Sequence, residues 1–102
     1  MAAPALEPGR FAIPVDVRAV CADWQARGFS CDTASDPPGH AWRDYVHDVD
    51  ELVTVLEGRL QVEMNGETWV LSPGDELFIP RGVVHSVTNI HSGTTHWLYG
   101  YG

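Results

Sequence analysis

Gly74-Asp75-Glu76-Leu77-Phe78-Ile79-Pro80-Arg81-Gly82-Val83-Val84-His85-Ser86-Val87-Thr88-Asn89 decides how this chain is read. Its fixed points, Gly74, Pro80, Gly82, His85 and Asn89, follow G-x5-P-x-G-x2-H-x3-N. The apolar run Leu77-Phe78-Ile79 ends at a Pro-Arg-Gly turn, and a second strand-like run opens with His85. A histidine leaving a turn at the start of a strand can aim its ring into a cavity. Upstream, Gly39 to Asp50 leads through Tyr45, His47 and Glu51 into Leu52-Val53-Thr54-Val55-Leu56-Glu57-Gly58.

Outward from these stretches the chain is punctuated by turns. Asn65-Gly66 lies between alternating runs, a strong type I′ hairpin signal. Leu60, Val62 and Met64 alternate with Gln61 and Glu63, the period of a half-buried strand. Strands are expected over 29–34, 42–47, 51–56, 60–64, 67–71, 77–79, 85–90 and 95–99, separated by Pro, Gly, Asn, Asp and Ser clusters. Such a series of short strands reads as an antiparallel sandwich or barrel. One helix is expected over residues 16–27. Asp16 serves as its N-cap, Val17, Val20, Cys21 and Trp24 form its apolar face, and Gly28 is its stop. Residues 1–14, with three prolines, read as an extended arm ahead of a single domain over 15–102.

Composition narrows the function. The 102 residues make one domain with a modest core. A net charge of −8 repels a phosphate backbone, so nucleic acid is excluded as a partner. No apolar run approaches the ~20 residues of a membrane span, and the first residues lack the pattern of a secretory leader; the expected location is cytoplasmic. In such a reducing compartment Cys21 and Cys31, which fit neither C-x-x-C nor a zinc-knuckle spacing, read as free, mostly buried thiols.

Residue parity places Arg43, Tyr45 and His47 on one face of their strand. Glu51 opens the next strand across a tight bend beside His47, and His85 must reach both from a third strand. Two imidazoles and a carboxylate with open positions form a facial triad, suited to Fe(II) and open to Mn, Ni, Co or Zn. Tyr45 has three readings: a fourth ligand, a hydrogen bond to a metal-bound water, or simple packing. His96, in an apolar strand, becomes a fourth ligand or a substrate contact if its ring points inward. An inward Arg43 could hold a carboxylate or phosphate; its other reading is a surface salt bridge. Asp44, Asp48 and Asp50 read as solvated residues of the strand and its bend.

Together the two stretches resemble the two sequence motifs of the cupin superfamily, as found in small single-domain microbial cupins. The second motif matches at every fixed position; the first, G-x5-H-x-H-x3-E-x6-G, matches at Gly39, His47, Glu51 and Gly58 but carries Tyr45 where a histidine is usual. Residues 59–73 separate them, a compact spacing. The resemblance covers Gly39 to Asn89 and implies a small all-β barrel, the jelly-roll or double-stranded β-helix, with one short N-terminal helix. It also implies that His47, Glu51 and His85 are metal ligands. Fold alone does not fix activity. Two functions follow: a metal-dependent enzyme on a small polar molecule, by oxygenation, isomerisation or lyase chemistry, or a non-catalytic module binding a small ligand or metal. A homodimer is expected through the aromatic ending Trp97 to Gly102; the alternative is that these rings line the cavity and stack on a ligand.

Overall fold

In the computed structural model, which describes residues 5–102, nine strands and one helix form three layers. The elements are β1 Leu6–Glu7, α1 Val17–Ala26, β2 Asp32–Asp36, β3 Ala41–Tyr45, β4 Glu51–Glu57, β5 Leu60–Met64, β6 Glu67–Leu71, β7 Glu76–Ile79, β8 His85–Asn89 and β9 Thr95–Tyr101. A five-stranded sheet has the order β1-β7-β4-β9-β2 and faces a four-stranded sheet of order β3-β8-β5-β6. Every strand pairing is antiparallel. The architecture is the jelly-roll barrel with a short helix laid on one side.

Two turns show why the sequence closes this way. Asn65 and Gly66 have φ of 52° and 75°, the pair of positive values that a type I′ turn requires between β5 and β6. Gly58 has φ of 104° between β4 and β5, and a Cβ there would lie 2.2 Å from Thr95 Oγ1. That hydroxyl donates to Asn89 Oδ1 at 2.7 Å, and the Asn89 amide donates to the carbonyls of Asp36 and Gly93. The last residue of the second motif therefore ties β8 to the ends of β2 and β9, and every polar atom of its side chain is used.

Strand parity sorts the five-stranded sheet into two faces. Val53, Val55, Leu77, Ile79 and Trp97 point inward, onto Leu60, Val62, Leu71 and Val87 of the other sheet. Leu52 and Leu98 point outward, under Val20 and Trp24 of α1. Asp16 caps the helix by accepting from the Arg18 amide, and Gly28 ends it at φ of 87°. Beneath the helix Glu76 accepts from Trp24 Nε1 at 2.8 Å and pairs with Arg27, while Arg10 approaches at 3.5 Å. Both guanidinium groups are held above their ordinary range: burial opposes the shift, and bonds to Glu76 and Asp23 outweigh it.

Three expectations change. Of the expected extended arm, Leu6 and Glu7 pair with Leu77 and Glu76, a turn follows at Pro8-Gly9, and the Phe11 amide donates to Gly74 O. The first four residues of that arm lie outside the described residues. Cys21 and Cys31 are not free thiols; α1 crosses the start of β2 with the two Cα atoms 5.4 Å apart, and the sulfurs are bonded. Disulfides are rare in reducing compartments, so this pair does not support the cytoplasmic expectation. Finally, the ending is not an unpaired apolar edge, because β9 runs between β4 and β2 with Trp97 and Leu98 buried. The ending therefore offers no free sheet edge for a homodimer. No helix among the described residues is long and apolar enough to cross a membrane.

Candidate metal centre

His47, Glu51 and His85 converge, each offering a ligand atom within 4.8 Å of the others. Each arrives by a different route. His47 sits in the loop after β3, where its carbonyl accepts from the Gly82 amide at 2.8 Å and so fastens one motif to the other. Glu51 is the first residue of β4 and His85 the first of β8. The bend between His47 and Glu51 is held by Asp50, whose carboxylate accepts from the Arg81 amide and whose backbone pairs with Gly102.

Glu51 Oε1 lies 3.5 Å from His47 Nε2 and 3.3 Å from His85 Nε2. It is fully buried and has no hydrogen-bond partner. His85 Nδ1 lies 3.1 Å from the Val83 carbonyl. A carbonyl only accepts, so Nδ1 carries the proton and a neutral His85 turns a bare lone pair toward Glu51. Lone pairs facing one another in a buried site repel unless a cation sits between them. That cation can be a proton or a metal ion. Burial opposes protonation of His85, but Glu51 and the Val83 carbonyl outweigh it and raise its pKa above the ordinary value. When His85 is charged, the 3.3 Å contact becomes an ion pair; otherwise Oε1 is an orphan. The donor set thus fits a divalent metal, and this group could hold one.

The triad lies at one end of a cavity of about 210 Å³. Its walls are aromatic: Trp42 and Tyr45 from β3 on one side, Trp97, Tyr99 and Tyr101 from β9 on the other. His47 packs edge-on to Tyr101 with centroids 4.9 Å apart. Burial, with Glu51 and Tyr99 nearby, pushes the Tyr101 phenol up to about 12, so it keeps its proton at neutral pH.

Tyr45 lines this cavity, opposite His85 in the sheet register, with its ring centroid 6.4 Å from that of His47. It is 44% exposed and is not one of the converging groups. Arg43 is not on the same face. The register of β3 against β8 shifts between Trp42 and Tyr45, because Arg43 and Asp44 together oppose Ser86 alone. Asp44 takes φ of 56° and donates its amide to Ser86 Oγ. This bulge breaks the period of two. Trp42 and Tyr45 then share the cavity face, and Arg43 lies with Gln61 and Glu63 in a shallow depression on the outside. His96 also points away: it is exposed and its Nδ1 contacts Ser35 Oγ at 2.8 Å. Parity along β9 decides this, since Trp97, Tyr99 and Tyr101 are the inward set. Strict parity puts Trp42 on the face opposite Tyr45, and the bulge, which the sequence does not announce, brings it to the cavity wall. The β9 rings were readable only as an alternative to a subunit contact.

Among curated proteins none matches the chain. Solved structures do. A protein of unknown function from Streptococcus pyogenes is 19% identical, with 72% of this chain and 62% of that one covered and a TM-score of 0.66. A protein from Thermus thermophilus is 28% identical, with 72% and 71% covered and a TM-score of 0.65. Salicylate 1,2-dioxygenase from Pseudoaminobacter salicylatoxidans is 23% identical, with 72% and 19% covered and a TM-score of 0.64. The first and last of these share the fold alone, and this chain spans less than two thirds of either. The cupin domain model matches residues 33–101, from β2 to the end of β9, and this chain belongs to the cupin family.

Proposed function

We propose that His47, Glu51 and His85 bind a divalent transition metal, and that the cavity beside them binds a small molecule on which the site acts. The single observation that carries this reading is Glu51 Oε1, buried without a partner between two imidazole nitrogens at 3.3 and 3.5 Å. A carboxylate used only for packing would be expected to find a donor. Three protein ligands leave positions open, as a centre that works on a substrate requires. A bound metal would polarise substrate oxygens as a Lewis acid or activate dioxygen.

The chain's own residues set the conditions. The Val83 carbonyl holds the His85 ring and fixes its tautomer. Tyr101, protonated and in edge contact with His47, offers a hydroxyl donor beside the triad. Tyr45 stands at the rim, where it can meet a ligand bound in front of the triad. Oxygenation, isomerisation and lyase chemistry all fit such a centre. The test is elemental analysis of protein purified without a chelating tag. Near-stoichiometric metal in the wild type, lost in both Glu51→Gln and His85→Ala, upholds the reading; equal metal in wild type and variants overturns it.

A further inference from the structure

The aromatic walls discriminate among ligands. Ring contacts run along each wall, Trp42 to Tyr45 on one side and Trp97 to Tyr99 to Tyr101 on the other. The two walls meet only at the triad, through His47 and Tyr101. Register sets their depth. Tyr101 lies opposite Glu51 and Tyr45 opposite His85, whereas Tyr99 and Trp97 lie opposite Val53 and Val55, and Trp42 opposite Val87. Trp42, Tyr99 and Trp97 therefore line the part of the cavity one or two rungs from the triad. Two residues along a strand span ~6.6 Å.

Among the described residues no arginine lines the cavity, and the sequence contains no lysine. Arg10 and Arg27 are engaged with Glu76 on the far side of the sheet, and Arg43 is outside. The lining carries one acid, Glu51, on a chain of net charge −8. No guanidinium or ammonium group is there to pair with an anionic head; the one buried donor in the lining without an acceptor is the Trp97 indole N–H. Neighbouring rings are inclined by 51° to 64°. A flat ligand can stack on only one of two such rings, whereas a compact, rounded head meets several faces at once. Ring faces are negative, and several of them around one centre favour an organic cation.

We infer that Trp42, Tyr99 and Trp97 form an aromatic cage for a small organic cation with a quaternary ammonium or sulfonium head, seated about one residue pair from the triad. This deepens the proposed function, since a ligand held there can present an oxygen-bearing tail to the metal-binding residues. The cage itself needs no metal.

The probe is choline, with 3,3-dimethylbutan-1-ol as its uncharged isostere and benzoate as a flat anion. Binding is followed by tryptophan fluorescence and calorimetry, on chelator-treated and on metal-supplemented full-length protein. Choline is expected to bind at least roughly tenfold more tightly than its isostere. Trp42→Ala and Tyr99→Leu should each weaken it several-fold, and Tyr99→Phe, which keeps the ring, should restore it. Trp42 Nε1 also donates to the buried Asp36 carboxylate at 3.0 Å, so circular dichroism must show this variant folded, and the Tyr99→Leu and Tyr99→Phe pair carries the test where it is not. Equal binding of choline and its isostere, or preference for benzoate, overturns the cage. Choline binding to metal-free protein that never takes up metal upholds the cage and overturns the metal reading; metal uptake without choline preference does the reverse.

Discussion

Two buried glutamates stand on neighbouring, paired strands of one sheet and are used in opposite ways. Glu76 on β7 faces outward under α1, where Trp24 Nε1, Arg27 and Arg10 surround its carboxylate. Glu51 on β4 faces inward, where one oxygen has only two imidazoles for company. The two are 5% and 4% exposed, so burial does not distinguish them. Satisfaction does. A paired carboxylate fastens layers together, and an unpaired one held beside a cavity is a group waiting for a cation.

The sharpest break in this comparison is Glu76→Ala. It leaves the Trp24 indole N–H buried without an acceptor and two guanidinium groups with Asp23 as their one remaining shared partner. We expect a loss of about 3 kcal/mol, read from denaturant midpoints, with metal content per folded molecule unchanged. An effect under ~0.5 kcal/mol would show that the outer cluster is not holding α1. Next is Cys21→Ser with Cys31→Ser. Opening this short loop should cost about 2–3 kcal/mol by the chain-entropy argument and should likewise spare the metal site, which lies on the other face. Thiol counting with and without reductant tells whether the bond forms.

Glu51→Gln should do the opposite. Metal should be lost, while stability of the metal-free protein above the folded His85 pKa should change by no more than ~1 kcal/mol, because beside a neutral His85 the oxygen it alters has no donor to lose. A large destabilisation would make Glu51 a second Glu76.

A smaller effect is the pH response. The folded pKa of His85 is raised above its unfolded value, so the stability this group gives metal-free protein is full below about 6.5 and lost as pH rises through the folded value. Metal needs the neutral imidazole, so loading should improve over the same rise. Thermal melts of metal-free wild type against Glu51→Gln from pH 5 to 8 check the sign; parallel curves would break the link between His85 and Glu51. The smallest expected effect is that of Arg43→Ala, which should leave metal content and ligand binding unchanged, since the bulge turns this side chain out of the cavity.

Every element except β1, and the three side chains that converge, could be read in the sequence. Period-two alternation marked β5, Asn65-Gly66 marked its hairpin, and Asp16 and Gly28 bounded α1, because these signals act over a few residues of backbone. His47, Glu51 and His85 were legible because motif spacing and short bends bring them together. What tertiary structure decided lies where local rules are overridden. The Asp44 bulge exchanged Arg43 for Trp42 on the cavity wall, and no residue type announces a bulge that a partner strand imposes. The Cys21–Cys31 bond depended on where α1 comes to rest against β2. The position of β9 inside its sheet turned a presumed contact surface into a cavity wall. Strand order is set by packing between residues far apart in the chain, and a single strand's sequence does not carry it.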